Sequence, residues 1–306
     1  MEGLLQGIKV LDLSSVLAGP MTGTFLAECG ARVIKVEPPT GDVTQSWRLP
    51  DEPTNRDSAY YAAANRGKTV VHQDLKTAEG QEWLHSMLAE HDVLIQNMKQ
   101  ADLDAMGLSP QVLSVLFPRL VHVRLVGYEF DSSRLAYDVV VQAESGFMSM
   151  NGYANTPPAR LPVALMDVLA SHQMRAAVLG GLYQRDQSGK GCYAEVSLLG
   201  SGLTALANQG TNALINKKFP RRMGSTHPNI APYGDLLQCR DGHIVLAVGS
   251  DNQFKGLCEV LGLSDIVQRP EFSSNAARVE HRDALMLALN KASKNRVRDD
   301  LQQTLH

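Results

Sequence analysis

The sequence predicts an α/β protein with a large first domain, built on a Rossmann-like parallel sheet, and a second, smaller α/β domain. Two observations predict the large domain. Short apolar runs alternate with helical patterns, and one strand–helix–strand unit fits within residues 7–37, which is the spacing of a parallel βαβ crossover. The small domain is predicted by Asp241-Gly242, which lies between two apolar runs and is a strong hairpin signal.

The elements of the large domain are predicted from hydrophobic periodicity and from the turn residues that punctuate it. The predicted strands cover residues 7–13, 31–37, 69–71, 92–97, 120–128 and 193–198. The predicted helices cover residues 21–29, 80–90, 111–117, 136–143, a long segment after Asp167, and residues 200–214. Helices that connect parallel strands cover the faces of their sheet, so we expect this sheet to be buried.

A basic, polar segment marks the predicted domain boundary. Residues 1–215 are assigned to the large domain, residues 216–226 to a linker and residues 227–306 to the small domain. The small domain is predicted to contain strands at residues 235–239 and 243–248. Helices are predicted at residues 254–261 and 278–306.

Composition excludes several classes of function. Apolar residues make up 44% of the chain and charged residues 20%, and the net charge is −3 without a basic block, so we expect no nucleic-acid partner. The apolar runs are too short to span a bilayer and the first residues do not form a signal peptide, so we expect no membrane association. Four cysteines (Cys29, Cys192, Cys239 and Cys258) lack the spacing of metal ligands or disulfides. These patterns predict a cytoplasmic protein without a metal site.

Asp167 is the candidate reactive residue. It lies in an otherwise apolar stretch, residues 161–169, where an ionised carboxylate is costly to bury. Asp is also a favoured helix N-cap, and the residues alone favour capping over catalysis.

A long helical pattern follows Asp167 and ends at the Gly-rich turn 188–191. The residues predicted to form its buried stripe are Leu169, Met174, Val178, Leu182 and Tyr183.

A second candidate is the turn Asn65-Arg66-Gly67-Lys68, which lies between a helical segment and a strand. Backbone amides with an Arg and a Lys can bind phosphate groups. A solvated turn has the same composition, and the residues alone leave the two interpretations even.

The first loop argues against a dinucleotide site. Its sequence, Leu17-Ala18-Gly19-Pro20-Met21-Thr22-Gly23, is not the G-x-G-x-x-G fingerprint, and Pro20 removes one backbone donor. Glu37 does end the second strand, where an acid that binds ribose would lie. Without the glycines, NAD binding is disfavoured.

Taken together, these segments resemble the class III CoA-transferases, of the formyl-CoA transferase and carnitine CoA-transferase type. The matching features are the lone Asp167 before a small-residue helix, the run 185–191, the strand 195–197, the Asn65–Lys68 turn and the helix start at Tyr137-Asp138. The resemblance extends from residue 7 to about residue 282. It implies that Asp167 is the nucleophile, which reverses the preference for capping.

The resemblance also implies a binding site for coenzyme A. Asn97 follows a strand at the carboxyl end of the predicted sheet, where open α/β sheets bind ligands. By motif position, the implied CoA-binding residues are Val16, Leu17, Ala18, Asn65, Arg66, Gly67, Lys68, Asn97, Met98, Gly127 and Tyr128.

The implied activity is transfer of CoA from an acyl-CoA thioester to a free carboxylic acid through covalent aspartyl intermediates. CoA and acyl-CoA are then substrates, and no permanently bound cofactor is expected. The other substrate is a small carboxylic acid. An Asp is expected to be ionised at neutral pH and to need no general base. The family forms interlaced homodimers, and its members carry a C-terminal segment that we do not find in this sequence.

Two alternatives stay open at this point. The related 2-methylacyl-CoA racemases carry a His before Asp138 and use it as an acid–base group. Tyr137 occupies that position here and is a poor substitute because its ordinary pKa is near 10. A non-catalytic CoA-binding or assembly protein is the second alternative, and it rests on the short C-terminus.

Overall fold

A computed structural model describes residues 3–131 and 134–305, and the chain divides into two compact units. The first comprises Met1–Met148 and Arg160–Phe219, and the second comprises Ser149–Ala159 and Pro220–His306. The predicted large domain, residues 1–215, therefore included a segment that belongs to the second unit. This segment is attached there by hydrogen bonds, from the Gly224 amide to the Gly152 carbonyl at 2.9 Å and from Arg222 to the Ser149 carbonyl at 3.2 Å.

The first unit contains a six-stranded sheet in which every neighbouring pair is parallel. Its spatial order, β3-β2-β1-β4-β5-β6, is that of a doubly wound dinucleotide-binding sheet. The predicted α/β fold with a Rossmann-like parallel sheet is thus confirmed. The strands are β1 (Lys9–Asp12), β2 (Arg32–Glu37), β3 (Thr69–His72), β4 (Val93–Gln96), β5 (Val121–Val126) and β6 (Cys192–Ser197).

Helices connect these strands, and one of them, α8, is much longer than the others. The helices up to residue 219 are α1 (Ala18–Glu28), α2 (Ala59–Asn65), α3 (Ala78–Glu90), α4 (Gln100–Ala105), α5 (Pro110–Leu116), α6 (Asp138–Glu144), α7 (Phe147–Met150), α8 (Leu165–Ser188), α9 (Leu198–Ala205) and α10 (Ala207–Asn216). The predicted single helix at residues 200–214 is two helices, because Ala207 adopts a positive φ of 46° that an α-helix cannot continue through.

Alternation along the strands produces two apolar cores in the first unit. One core contains Val10 of β1 and Val123 of β5, and α1 and α8 pack on it. The other contains Leu11 of β1 and Leu94 of β4, together with buried leucines of α3 and α5. The central strands β4 and β5 are therefore buried on both sides, as the sequence predicted, whereas the edge strand β3 is largely exposed.

Helix α8 buries a different stripe from the one predicted, and its buried residues are Met166, Ala170, Ser171, Met174, Val178, Gly181 and Arg185. Met174 and Val178 are fully buried, and Leu169 and Leu182 are partly buried. The prediction for Tyr183 was wrong, since this residue is 71% exposed. Gly181, two positions earlier, is buried against the sheet. A side chain does not fit at this position, because a Cβ there would lie 2.6 Å from a methyl carbon of Val121.

The second unit combines an antiparallel hairpin with four helices around its own core. The predicted hairpin at Asp241-Gly242 is present, with strands β7 (Tyr233–Cys239) and β8 (Gly242–Ala247). The predicted helix at residues 278–306 is divided among three helices. The helices of this unit are α11 (Asp251–Leu261), α12 (Asn275–Glu280), α13 (Arg282–Ser293) and α14 (Arg298–Leu305).

Candidate active site

A cavity of about 450 Å³ lies in the first unit, among loops that follow the sheet strands. Its walls include Val16, which follows β1, residues 97–99, which follow β4, and Gly127, which follows β5. Open α/β sheets bind ligands at the carboxyl ends of their strands. This cavity is therefore the candidate active site.

Some of the sequence-predicted site residues line this cavity and others do not. The predicted residues in its walls are Val16, Asn97, Met98, Gly127 and Asp167. The walls also include residues that were not predicted as site residues, among them Trp47, Tyr60, Lys99, Arg124, Arg134, Tyr137 and Asp138.

Asp167 lies in the first turn of α8, as its third residue. The N-cap of this helix is Ala164, which makes no side-chain capping hydrogen bond. Asp138 instead accepts a hydrogen bond from the Met166 amide at 2.8 Å and satisfies one of the free amides at the helix start. The interpretation of Asp167 as an N-cap is therefore wrong, because a different carboxylate serves that end of the helix.

The environment of Asp167 raises its pKa to about 7. Burial is the largest cause, and the negative charge of Asp138 adds to it. A hydrogen bond from the Ala18 amide acts in the opposite direction, as does the positive end of a helix dipole. The expectation of full ionisation at neutral pH is thus corrected, because a pKa of about 7 lies within the neutral range.

The predicted phosphate-binding residue Lys68 has an internal role. Its side chain is fully buried, and its ammonium group donates to Asp12 at 2.9 Å, to the Pro20 carbonyl at 2.7 Å and to the Asn65 side chain at 3.0 Å. An ammonium group has three donors, and all three are used. Asn65 also donates to the Tyr61 carbonyl. Lys68 and Asn65 therefore form an internal hydrogen-bonded cluster with Asp12, and their contact with a ligand stays a prediction.

Arg66 and Gly67 are the other two predicted binding residues of that turn. The Arg66 side chain is 80% exposed and pairs with Glu28 at 2.6 Å. Gly67 has a φ of 79° and supplies the left-handed conformation of the turn. Neither residue lines the cavity described above, so the turn's predicted contribution to that cavity is not observed.

Tyr128 was predicted to contact the ligand, but its ring is fully buried. Its hydroxyl donates to Glu144 at 2.7 Å, and the Arg134 guanidinium lies 4.1 Å from the ring centroid. Gly127 lines the cavity and Tyr128 does not, and the contact of Tyr128 with a ligand stays a prediction. The Tyr128 ring instead supports Arg134, which is a wall residue.

The segment from Ser14 to Ala18 connects β1 to α1 and passes next to Asp167. Val16 has a φ of 72°, a left-handed conformation that is a genuine outlier for a β-branched residue and costs about 1–3 kcal/mol. Leu17 is the N-cap residue of α1 and accepts from the Met21 amide at 2.8 Å. Ala18 begins α1 and presents its amide to Asp167.

Positive charge contributes to other walls of the cavity. Arg124 is 3% exposed and donates to Gln100 at 2.6 Å and to the Met98 carbonyl at 3.3 Å. Lys99 and Arg134 are further cationic wall residues. Arg124 was hard to predict as a site residue because it lies within an apolar strand.

Two aromatic residues complete the cavity walls. Trp47 and Tyr60 pack edge to face, with ring centroids 5.1 Å apart. Burial raises the pKa of Tyr60, and the charges of Asp167, Asp138 and Asp42 raise it further. Tyr60 therefore stays protonated at neutral pH and is a donor near the acidic side of the cavity. A lone Trp in a polar loop was the one sequence signal for this wall.

The described ranges, residues 3–131 and 134–305, contain neither a metal-ligand cluster nor a membrane-spanning helix. There, no three His, Cys, Asp or Glu side chains are grouped as metal ligands would be. In the same ranges, no helix combines the length and the apolar character needed to cross a bilayer.

Comparison with known proteins places this geometry in a family context. A family model described as CoA-transferase family III matches residues 5–306. The succinate–glutarate CoA-transferase of Agrobacterium fabrum is 39% identical over 286 residues, which are 91% of this chain and 71% of that protein. The succinyl-CoA:glutarate CoA-transferase of Homo sapiens is 34% identical over 291 residues, which are 94% of this chain and 66% of that protein.

A solved structure supports the same relationship. The crystal structure of a CAIB/BAIF family protein from Brucella suis superposes with a TM-score of 0.84 and 37% sequence identity. The match covers 100% of this chain and 82% of that one.

Proposed function

The chain belongs to CoA-transferase family III, and we propose that it moves CoA from an acyl-CoA thioester to a free carboxylic acid through covalent intermediates on Asp167. One observation carries this proposal. Asp167 is a cavity-lining carboxylate whose pKa is raised to about 7 by burial and by Asp138, with no cation among the groups that perturb it. Such a carboxylate is poorly solvated, which suits a nucleophile.

Burial also favours the acylated state of Asp167. The free carboxylate carries a charge that this environment disfavours, whereas an anhydride or a thioester at the same position is neutral. Covalent capture of an acyl group therefore removes an unfavourable buried charge. This contribution lowers the free energy of the intermediate relative to the ionised free enzyme.

The proposed reaction has four steps. An Asp167 oxygen attacks the thioester carbonyl, the carbon–sulfur bond breaks, and CoA thiolate leaves a mixed anhydride behind. The thiolate attacks the Asp167 carbonyl, expels the donor acid as its carboxylate and forms an aspartyl-CoA thioester. The acceptor carboxylate then attacks this thioester and releases the thiolate again. In the last step the thiolate attacks the acceptor carbonyl and frees Asp167. Retention of CoA in the site keeps its thiolate at a high effective concentration.

We propose dicarboxylic acids and their CoA thioesters as the substrate class. The two relatives described above are named for succinate and glutarate, which are dicarboxylates. The cationic wall residues Lys99, Arg124 and Arg134 suit substrates that carry carboxylate and phosphate groups. Val16, Asn97, Met98 and Gly127 are proposed to contact the CoA portion because they line the same cavity.

Tyr137 supports transfer over racemisation. It lines the cavity at the start of α6, the position at which the racemases carry a catalytic His. A racemase must remove a proton from one face of its substrate and return it on the other. A phenol with an ordinary pKa near 10 is poorly suited to that task at neutral pH.

Two properties of the whole protein are also proposed. A homodimer is supported by α10, on which Leu214 and Ile215 are 74% and 75% exposed, and by Phe219 just after it, which is 78% exposed. Apolar surface of this kind is typical of interfaces. A cytoplasmic location is supported by four cysteines that are all free thiols.

Trapping of the adduct tests the mechanism. The protein is incubated with succinyl-CoA at pH 7.5, treated with hydroxylamine or borohydride, digested and mapped by mass spectrometry. We expect modification at Asp167, because a mixed anhydride and an aspartyl thioester both react with these reagents. Asp167→Asn should show none.

Asp138→Asn is the matched control, since it changes the neighbouring carboxylate in the same cavity. This variant should still be modified at Asp167. If wild-type protein binds CoA but Asp167 is never modified, the covalent mechanism is wrong, and a non-catalytic CoA-binding protein becomes the better interpretation.

A further inference from the structure

The backbone between β1 and α1 makes many hydrogen bonds to side chains. Five consecutive backbone groups, from the Ser14 amide to the Val16 amide, accept or donate a hydrogen bond to a side chain. Asp12 accepts from the Ser14 amide at 3.0 Å, and Lys35 donates to the Ser14 carbonyl at 2.8 Å. Loops are ordinarily solvated and mobile, so this degree of attachment calls for a physical explanation.

The remaining bonds come from two other parts of the first unit. The Asn97 side chain accepts from the Ser15 amide and donates to the Ser15 carbonyl, each at 3.0 Å. Asp42 accepts from the Val16 amide at 3.3 Å and pairs with Lys35 at 3.1 Å. Lys35 and Asp42 are both buried, which makes these contacts rigid.

We propose that residues 14–18 form a strained positioning loop, in which Asp42, Lys35 and Asn97 hold Val16 in the left-handed region so that the Ala18 amide is aimed at Asp167. The inference rests on the proposed function of Asp167. Strained residues persist only where their surroundings over-determine them, and here the surroundings are side chains from β2, from the loop after β2 and from the residue after β4. These three are positioning residues, because they act on Asp167 through the backbone.

The purpose of the strain is to fix one donor. Ser15 and Val16 line the same cavity as Asp167, and the Ala18 amide that follows them favours the ionised form of Asp167, which is the reactive form. The other titratable groups that face Asp167 are Asp138 on α6 and Tyr60 on α2. Lys99, Arg124, Arg134 and Tyr137 lie on other walls of the cavity. If the loop relaxed, Asp167 would lose its one identified backbone donor while the charge of Asp138 stayed in place.

A rescue experiment tests this role. Asn97→Leu removes both hydrogen bonds to Ser15. Val16 can then relax out of its left-handed conformation. We expect kcat to fall about tenfold or more, and the acid limb of the kcat–pH profile to move up by about one pH unit. Adding Val16→Gly should restore much of kcat and return the limb toward its wild-type position, because glycine adopts a positive φ without strain.

Val16→Ala added to Asn97→Leu is the matched control. It removes the same methyl groups as Val16→Gly but keeps a Cβ, so it should give little rescue. If the glycine and alanine double variants are equally impaired, with KM for succinyl-CoA raised and the pH limb unmoved, Asn97 acts only by contacting substrate and does not act through Val16, and the inference is wrong.

A stability measurement keeps the inference testable if the Asn97 variants fail to fold or the enzyme shows no transfer. As single variants, Val16→Gly should have a thermal midpoint about 3 °C above that of Val16→Ala, because only glycine removes the strain. A midpoint for Val16→Ala at or above that of Val16→Gly would overturn the strained loop without bearing on the covalent mechanism.

Discussion

Asp12 and Asp167 are two aspartates in the first unit with opposite environments. Asp12 is fully buried at the end of β1 and is bonded to Lys68 and Ser14. Burial alone would raise the pKa of Asp12, but the charges of Lys68 and Lys35 and the hydrogen bonds to Ser14 and Lys68 hold it below its usual value. Asp167 has one amide donor and an acidic neighbour, and its pKa rises to about 7.

The difference shows how one fold separates a structural carboxylate from a reactive one. Asp12 has its charge neutralised and its oxygens occupied, so it has no capacity left for chemistry. Asp167 has an acidic neighbour in place of a cation and a single amide donor, and it lines a cavity. The two sites are connected, because α1 carries the Pro20 carbonyl bonded to Lys68 and the Ala18 amide bonded to Asp167.

Removal of the cation from the Asp12 site should have the largest effect. Lys68→Met keeps the length of the side chain but leaves the Asp12 carboxylate buried and unpaired. We expect the free energy of unfolding to fall by about 3–5 kcal/mol, measured by urea titration followed by circular dichroism. Adding Asp12→Asn should recover much of this loss, because no uncompensated charge then remains.

Arg66→Met is the matched control in the same turn. Its ion pair with Glu28 is largely exposed, and its removal should change the free energy of unfolding by only about 0–1 kcal/mol. A loss for Lys68→Met as small as that for Arg66→Met would contradict the structural role assigned to the Asp12–Lys68 pair.

Asp167→Asn should have the opposite effect to Lys68→Met. It should raise the free energy of unfolding at high pH. Because the pKa of Asp167 is about 7 in the folded state against 3.8 ordinarily, the folded state holds a proton that the unfolded state releases. Stability therefore falls as pH rises from about 4 to 7 and is level above that. The variant should be more stable than wild type by up to about 4 kcal/mol at pH 8, and by clearly less at pH 5.

The exposed Asp51 provides the control for this comparison. Asp51→Asn should change the free energy of unfolding by less than about 0.5 kcal/mol at either pH. Equal effects of Asp167→Asn at pH 5 and pH 8 would mean that its carboxyl group titrates normally in the folded protein.

The sequence was a good guide to the first unit's sheet. Apolar runs predicted all six strands of that sheet close to their observed positions, and the signal was clearest in the central strands, because buried parallel strands are apolar on both faces. The helix break at Ala207 and the attachment of residues 149–159 to the second unit depend on tertiary contacts that periodicity does not report.

The candidate site was less predictable than the fold. The motif around Asp167 drew attention to the right carboxylate, but the sequence does not reveal that Lys68 contacts Asp12, 56 positions away along the chain. A lysine that binds a phosphate group and a lysine that pairs with a buried carboxylate cannot be distinguished from the sequence alone. Asp138 was missed as the partner of the Met166 amide for the same reason, since that contact spans 28 positions.

The most direct test of the contrast between the two aspartates is a carboxyl titration by NMR, with 13C in the side-chain carboxyl groups of all aspartates. The contrast predicts one aspartate that titrates with a midpoint near pH 7 and disappears from the spectrum of Asp167→Asn. In Asp138→Asn the same midpoint should fall by about one unit, and the Asp12 resonance should titrate below the ordinary aspartate range. If no aspartate titrates between pH 6 and 8, or if the one that does persists in Asp167→Asn, the environment assigned to Asp167 is wrong.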